Sequence, residues 1–319
     1  MAVPLYKKRR RIMRKKVSSC ENYVHKSHIS RRMKNDLVGY AFILPALVFF
    51  MTFVIIPIAT GVVTSFFHYT DKKFEFIGFG NYVKLFQDEI FLKSLKNTVI
   101  LVVGVVPIIV IFSLFVSVVI YQKNAHIRSL MRGIFYLPVV TGTVAVTVVW
   151  KWIFDPISGV LNYVLMNMGV IEKEIMWLGD KRFAIWAIIL VLFTTSVGQP
   201  IILYIAALGN LDKTHIEAAE IDGANSWQVF RYVKWPGIMP TTLYVVVITT
   251  INSFQCFSLV QLLTSGGPNY NTSTIMYLVY ETAFKQYKFG YANAMGIILA
   301  IVICLFSLIQ FKCFGKEQS

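Results

Sequence analysis

The sequence predicts an all-α integral membrane protein with six transmembrane helices. Of its 319 residues, 56% are hydrophobic and only 15% are charged, whereas a soluble domain carries about 25% charged residues. The apolar residues gather in six runs of at least about 20 residues, a length that crosses a hydrocarbon core of about 30 Å. Because lipid offers no partner for backbone N–H and C=O groups, each run is expected to be helical.

The six predicted spans are 40–66, 97–121, 134–153, 184–208, 241–263 and 292–311. The only charged side chain within them belongs to Lys151, which lies between Trp150 and Trp152 at the end of the third run. A lysine in that position can extend to the membrane interface, where tryptophans also prefer to lie. A buried functional lysine is the alternative. Kinks are expected at the prolines within the runs, namely residues 45, 57, 107, 138 and 200.

Residues 1–37 form a basic tail with twelve Lys or Arg residues, including the run KKRRRIMRKK. The positive-inside rule keeps such a tail in the cytoplasm. With six spans, both termini and the loop at 211–240 are then cytoplasmic. The composition favours a disordered anchor that sets the topology, and contact with anionic lipid is a second reading. Nucleic-acid binding is not indicated, because neither a folded basic face nor aromatic stacking residues are visible.

The insert between the fourth and fifth runs reads THIEAAEIDGANSWQVFRYVKWPGIMP. Thr214 and Glu217 have the spacing of a capping box, which predicts a short helix that begins at Thr214. Gly223 stands where a left-handed C-cap would end that helix. Acidic residues near the N-terminal end suit the positive end of the helix dipole.

A second, amphipathic helix is predicted to follow at once. Asn225 or Ser226 is placed to cap its first turn. Pro236 and Pro240 are expected to end it before the fifth run begins, since proline lacks the N–H that a helix needs. The two helices together are expected to lie along the inner membrane surface.

Polar side chains occur in the fourth and fifth runs at helical spacing. Those of the fifth run follow i, i+3, i+4 and i+7 and so would share one face, while those of the fourth come just before a proline. The residues are Thr195, Ser196, Gln199, Thr249, Asn252, Ser253 and Cys256. Polar groups at membrane depth usually face a bundle interior or a cavity. They either contact a solute or make helix–helix hydrogen bonds, and both readings stay open. Gln255 points off this face and is expected to be structural.

Four blocks of the sequence resemble those of carbohydrate permeases of the maltose-transporter kind, which are membrane subunits of binding-protein-dependent ABC importers. The blocks are GFGNYVKLF, WKWIFDPISGVLN, EAAEIDGANSWQVFRYVKWP and QLLTSGGP, in the family order, and the resemblance covers residues 36–312. The third block resembles the family's EAA loop. That loop ends in I-x-L-P in the family, whereas this chain has Val233, Trp235 and Pro236 at the matching positions.

The resemblance implies a type I ABC importer transmembrane domain at residues 38–312. The remaining segment, 313–319, is expected to be cytoplasmic because six spans place both termini on the side of the basic tail. It implies four kinds of partner: a second, related but different permease chain, two ATPase subunits, an extracytoplasmic solute-binding protein and membrane lipid. The EAA loop would dock on the ATPase through Glu217, Ala218, Ala219, Asp222, Gly223 and Pro236. In the maltose permease, helix positions that correspond to the polar residues named above contribute to a sugar site.

The sequence does not predict an enzyme, and we assign no catalytic residue. It has neither the G-x-x-x-x-G-K-[ST] motif that binds ATP phosphates nor the H-E-x-x-H motif of zinc proteases. Its four cysteines lack the spacing of a disulfide framework or a zinc site. No cofactor or metal is therefore expected on this chain. ATP and Mg²⁺ would bind to the partner ATPase.

Three functions fit the sequence. The first is the permease of an ATP-driven importer in a bacterial-type plasma membrane, which carries a mono-, di- or oligosaccharide. The second is a similar permease for another solute, such as a polyol or glycerol phosphate, although the spans lack the basic cluster that a phosphate favours. The third is a secondary transporter or channel that works without ATP. Neither an inverted repeat nor an acidic residue within the membrane supports this third reading.

Overall fold

The computed structural model describes residues 39–71 and 73–315 of the chain. The helices of this part are α1 (Gly39–Thr64), α2 (Gly80–Gln87), α3 (Glu89–Tyr121), α4 (Ala125–Val140), α5 (Thr143–Ile153), α6 (Val160–Asn167), α7 (Ala184–Ser196), α8 (Gly198–Gly209), α9 (Lys213–Ile221), α10 (Ser226–Phe254), α11 (Ser258–Leu263), α12 (Ile275–Tyr280) and α13 (Phe289–Gly315). A short antiparallel hairpin, β1 (Phe67–Tyr69) with β2 (Phe74–Phe76), follows α1. Of the described residues, 39–61 form one compact unit and those from 62 onward form another.

By length and apolar composition, α1, α3, α10 and α13 can each cross a membrane. Two further crossings are possible if the bent pairs α4–α5 and α7–α8 each count as one span. The predicted all-α membrane class is confirmed, and six spans result on that count. The basic tail at 1–37 and the last four residues of the segment at 313–319 lie outside the described residues. The inner location of the termini therefore stays a prediction.

The third predicted span, 134–153, is not one straight helix. α4 and α5 meet at an angle of 96°. The chain is extended at Thr141, with ψ of 128°, and at Gly142, with ψ of 142°, so the helical hydrogen bonds stop there. Pro138 lies within α4 and does not mark the break. Lys151 is exposed near the end of α5, which does not fit the alternative of a buried functional lysine.

The fourth predicted span bends by 42° between α7 and α8. The bend falls at Val197, just before Pro200. Proline has no N–H to donate to the carbonyl of Ser196, so the helical ladder is interrupted at this point. The kink expected at Pro200 is confirmed.

The fifth predicted span, 241–263, begins and ends later in the chain than the observed helix. The helix end expected at Pro236 and Pro240 is wrong. α10 runs without a break through both prolines. A π turn at Phe230–Lys234 widens the helix just ahead of Pro236, and the N–H of Trp235 bonds to the carbonyl of Phe230. This wider turn accommodates the missing proline N–H. α10 then ends at Phe254, nine residues before the predicted end of the span.

α3 lies at the centre of the helical unit, where it packs against α7, α8 and α10. α13 also packs against α10. The side chains between these helices are almost fully buried; they include Leu101, Ile109, Ile188, Ile201 and Ile238. Because lipid tails are as apolar as these side chains, close van der Waals packing holds the helices together.

The loop between α11 and α12 is fastened to α3 by hydrogen bonds that are buried or partly buried. Asn97 Nδ2 donates to the carbonyls of Tyr270 and Ser273 at 2.8 and 3.1 Å. Thr98 Oγ1 accepts from the N–H of Ile275 at 3.0 Å. The loop begins within the block QLLTSGGP, and it joins segments about 175 residues apart in the chain. We call residues 264–275, which include the first residue of α12, the fastened loop.

The segment between α5 and α7 is tied together by one side chain. Asn162 Nδ2 donates to the carbonyls of Pro156 and Ile175, and Asn162 Oδ1 accepts from Trp177 Nε1 at 2.8 Å. Asp155 Oδ1 accepts from the N–H and the hydroxyl of Ser158. The hydrogen bond from the Ser158 N–H is the main cause that lowers the pKa of Asp155. The block WKWIFDPISGVLN thus builds an ordered loop.

Candidate functional site

A polar cavity of about 190 Å³ lies between the α7–α8 bend and α10. We call it cavity A. Five of the seven residues predicted to face a solute line it, namely Thr195, Ser196, Gln199, Thr249 and Asn252. Its apolar wall includes Val139, Pro200 and Leu203. The structure therefore brings together polar groups from two runs that are about 50 residues apart in the sequence.

Several polar groups in cavity A have hydrogen-bonding capacity to spare. The side chains of Ser196, Gln199 and Asn252 make no hydrogen bond to another described residue. Thr195 Oγ1 donates to the carbonyls of Val191 and Leu192, so its oxygen can still accept. No lining side chain carries a charge. Such a cavity suits an uncharged solute with several hydroxyl groups.

Ser253 and Cys256 do not join cavity A. Ser253 is only 2% exposed and packs within the bundle. Cys256 follows the end of α10 at Phe254, so the helical spacing that predicted its position no longer holds there. The stripe of α10 that lines cavity A instead contains Tyr244, Ile248 and Asn252 at i, i+4 and i+8. That spacing is visible in the sequence. It would have predicted Tyr244, which is absent from the predicted set.

A second cavity, of about 280 Å³, adjoins the break between α4 and α5. We call it cavity B. It shares Val139 and Thr195 with cavity A. Its remaining lining is Pro138, Thr141, Thr143, Leu192, Gln255, Cys256, Phe257, Ser258 and Leu259. Gln255 was expected to be structural, but it is exposed and faces this space. The bend at Thr141 could not be read from the sequence, so the hydroxyls beside it were missed.

α9 and the start of α10, up to Pro236, form a largely exposed helix pair; no residue of α9 is buried, whereas Val229 of α10 is. The predicted capping box of Thr214 and Glu217 is wrong, because α9 begins one residue earlier, at Lys213. Asp212 is the N-cap, and its carboxylate accepts from the N–H of Thr214 at 2.9 Å. This hydrogen bond is the main cause that lowers the pKa of Asp212.

The C-terminal end of α9 is closed as predicted. Gly223 has a φ of +82°, in the left-handed region that glycine adopts without strain. The N–H of Gly223 bonds to the carbonyl of Glu220, and that of Ala224 bonds to the carbonyl of Ala219. These two bonds form a Schellman motif. Asn225 then caps α10 in a reciprocal capping box with Gln228.

The surface of the helix pair is partly apolar. Ile221, Trp227 and Tyr232 are 86%, 69% and 74% exposed. Of the residues predicted to dock, all but one are exposed; they are Glu217, Ala218, Asp222, Gly223 and Pro236, and Ala219 is half-buried. A rigid, capped helix that presents apolar side chains to its surroundings has the character of a contact surface.

Metal binding finds no support in this geometry. Among residues 39–71 and 73–315, no three or more His, Cys, Asp or Glu side chains are placed to hold an ion.

Comparison with known proteins agrees with these features. Residues 90–316 match the family described as binding-protein-dependent transport system inner membrane component. The lactose transport system permease protein LacF of Rhizobium radiobacter is 32% identical over 288 residues, which cover 89% of this chain and 96% of LacF. The probable ABC transporter permease protein YesP of Bacillus subtilis (strain 168) is 34% identical over 286 residues, which cover 88% of this chain and 91% of YesP.

Among solved structures, a similar chain occurs in the bacterial alginate ABC transporter in complex with its alginate pentasaccharide-bound periplasmic protein. The two chains share 25% sequence identity and a TM-score of 0.77, with 88% of this chain and 94% of that chain covered. The apolar helices, the exposed helix pair and the matched region all indicate a membrane component of a transport system. This chain belongs to the family of binding-protein-dependent transport system inner membrane components, and it is a multi-pass permease subunit of the ABC type rather than an enzyme.

Proposed function

We propose that this protein is the permease subunit of an ATP-driven importer that carries a sugar across a bacterial-type plasma membrane. An extracytoplasmic binding protein delivers the sugar, and two ATPase subunits bind ATP and Mg²⁺. A second, related permease chain completes the path. The names of similar proteins support a carbohydrate as the solute, since one relative is a lactose transport system permease and the similar solved structure is an alginate ABC transporter in complex with an alginate pentasaccharide-bound periplasmic protein.

Cavity A is the observation that carries the proposal. It offers amide and hydroxyl groups from Gln199, Ser196 and Asn252 that are not engaged elsewhere in the described chain. Ser196 is half-buried and Gln199 and Asn252 are exposed, so a solute rich in hydroxyls that enters the cavity can bond to all three. The cavity has no basic group to attract a phosphate and no acidic group to attract an amine. An uncharged sugar therefore fits it better than glycerol phosphate or an amino acid.

The exposed helix pair supplies the link to ATP in this proposal. α9 is capped at both ends, by Asp212 and by Gly223, so it can transmit a displacement rather than absorb it. The exposed, apolar side chain of Ile221 would pack into a cleft on the ATPase. α10 continues without a break from the helix pair to the stretch at Tyr244–Asn252 that lines cavity A. Movement of the pair would thus be passed to the helix that holds the sugar.

Replacing polar groups of cavity A tests the sugar site. In the assembled transporter, Gln199→Leu together with Asn252→Leu should reduce sugar uptake at least about tenfold, the effect of losing two or more hydrogen bonds. Complex assembly and ATP hydrolysis should persist. Asn167→Leu, an exposed amide on α6 outside both cavities, is the matched control and should leave uptake unchanged. Unchanged uptake and selectivity in the double variant would remove cavity A from the path.

A further inference from the structure

We propose that the turn between α3 and α4 binds the phosphate group of an anionic membrane lipid, through the guanidinium groups of Arg128 and Arg132 and the ammonium group of Lys123. We call residues 121–132 the basic turn. None of these residues lines cavity A or cavity B, and none belongs to the exposed helix pair. Only the assignment of the basic turn to the inner side of the membrane rests on the proposed function.

The basic turn lies at the same end of the bundle as the exposed helix pair. α3 ends at Tyr121, and α8 ends at Gly209. A Cβ built on Gly209 would lie 3.8 Å from the ring of Tyr121, so the two helix ends are neighbours. α9 begins four residues after Gly209, at Lys213. In the proposed function this end faces the ATPase, so the lipid belongs to the inner leaflet.

The two arginines of the basic turn have donors without acceptors. The Nε atoms of Arg128 and Arg132 are buried, and neither makes a hydrogen bond to the described chain. Arg128 Nη2 donates to the carbonyl of Lys123 at 3.1 Å, and its guanidinium lies 4.9 Å from the centre of the Tyr121 ring. Arg128 is thus held in place with a donor to spare. A buried donor without an acceptor is costly, and a phosphate oxygen removes that cost by accepting from it.

The two guanidinium groups are placed to act together. Arg128 and Arg132 are four residues apart on α4, so they are neighbours on one face of the helix. Both side chains are half-buried, whereas Lys123 is exposed. The planar guanidinium group matches the geometry of phosphate oxygens and can donate two parallel hydrogen bonds to them. Two such groups on one face form a site for a phosphate.

The described chain does not neutralise the charge of the basic turn. The sequence has no Asp or Glu between Glu89 and Asp155. Among residues 39–71 and 73–315, the one ion pair joins Arg182 to Asp180, far along the chain from the basic turn. The positive-inside rule accounts for basic residues at this end, but it does not account for guanidinium nitrogens that are buried without an acceptor. An anion from outside the described chain accounts for both.

The surface beside the arginines favours a lipid over a free phosphate ion. Four large apolar side chains of α4 share one face at i, i+3, i+7 and i+10 and are between 42% and 67% exposed; they are Ile127, Leu130, Ile134 and Leu137. This apolar stripe suits lipid tails. Because the basic turn encloses no cavity, a free ion would be held weakly there. The tails of a lipid keep its headgroup at a high local concentration, so the same contacts suffice.

The test uses the complete transporter, with both permease chains, the ATPase and the binding protein, purified in a neutral detergent. The probe is a photo-crosslinkable phosphatidylglycerol, and mass spectrometry identifies the labelled residues. We expect saturable labelling of the α4 stripe that unlabelled phosphatidylglycerol prevents and phosphatidylcholine does not. Equal competition by the two lipids would overturn the proposal, because the charge of the headgroup would then play no part.

Charge-removing variants locate the phosphate site. Each basic side chain near an anionic headgroup contributes about fivefold to affinity, so Arg128→Gln with Arg132→Gln should raise the half-saturating phosphatidylglycerol concentration about thirtyfold. Lys173→Gln with Lys181→Gln removes the same charge from exposed positions between α6 and α7, and it should change nothing. If the arginine variant does not assemble, Lys123→Gln alone should raise that concentration about fivefold. Unchanged labelling in every assembled variant would overturn the proposal.

Two further results would assign the arginines elsewhere. Competition by inorganic phosphate as strong as that by phosphatidylglycerol would indicate a site for a free anion and overturn the lipid assignment. Loss of the ATPase from the arginine variant, with normal labelling of α4, would overturn it in favour of a contact with the ATPase. Labelling does not depend on sugar uptake, so these outcomes leave the proposed function standing. A transporter that binds the lipid as expected and imports no sugar would refute the proposed function alone.

Discussion

The exposed helix pair and the fastened loop are held in place in opposite ways. α9 has no buried residue, and its capping hydrogen bonds join groups only two to five positions apart. The fastened loop is bonded to α3 by Asn97 and Thr98 across about 175 positions, and both side chains are buried. The exposed helix pair is held rigid by local hydrogen bonds, and its outer face is exposed. The fastened loop is rigid because it is part of the bundle.

This difference matches two mechanical roles. A helix that keeps its shape without burial can be gripped by another protein and moved as a body. A loop bonded through buried groups resists movement, since each broken bond leaves a buried polar group unsatisfied. We therefore expect changes in the helix pair to affect transport more than stability, and changes in the fastened loop to affect stability first.

The largest effect is expected from Gly223→Val. A β-branched residue in the left-handed region costs roughly 1–2 kcal/mol of strain. The cost comes from the backbone alone, because no atom lies within 4 Å of the position a Cβ would take. The end of α9 should therefore shift, and ATP-driven uptake should fall severely while the chain still inserts. Uptake and ATP hydrolysis by the assembled transporter measure this.

Gly223→Asn is the control for that variant. Asparagine tolerates the left-handed region better than valine, so Gly223→Asn should retain much more uptake. Equal losses in the two variants would show that backbone strain at this position is not the cause. Normal uptake in Gly223→Val would argue against a docking role for α9.

The next effect concerns the fastened loop. Asn97→Leu leaves the partly buried carbonyl of Tyr270 and the buried carbonyl of Ser273 without their donor. An unsatisfied buried group costs about 1–3 kcal/mol, and a partly buried one costs less. We expect a clear fall in the thermal unfolding temperature of the purified complex. Lys93→Met is the control, since Lys93 donates to the carbonyl of Asn269 at an exposed position, where substitutions change stability by about 0.5 kcal/mol or less. Equal stability of the two variants would contradict a fastening role for Asn97.

The smallest effect is expected at the N-cap of α9. Asp212→Ala removes the acceptor for the N–H of Thr214, so the first turn should fray. Asp212→Asn keeps an acceptor and should behave like the native chain. Hydrogen-exchange protection of the α9 amides measures the difference, and equal protection in both variants would exclude Asp212 as the functional cap.

The same cap has a predictable pH dependence. The folded protein lowers the pKa of Asp212, so the cap's contribution is fully present above the pKa of the unfolded chain. It declines as the pH falls through the lower, folded pKa. At neutral pH the contribution should be constant, and protection of α9 should decrease only in acid. A change in protection between pH 6 and 8 would point to a different group.

Residue preferences in the sequence correctly predicted the features that depend only on neighbouring residues. The kink before Pro200 follows from one missing N–H, and the left-handed Gly223 and the Asn225 cap follow from residue preferences. The continuation of α10 through Pro236 was missed because a π turn accommodates it. The bend at Thr141 carries no strong residue signal, and Cys256 was misplaced because α10 ends at Phe254. These features depend on the packing of distant segments.

In the proposed function, a separate ATPase moves α9 and thereby drives sugar across the membrane. The most direct measurement is sugar uptake by vesicles that contain the permease pair and binding protein, with and without the ATPase subunits. We predict uptake only when the ATPase and ATP are both present, and loss of that uptake in Gly223→Val. Sugar accumulation by the permease pair alone would contradict the account.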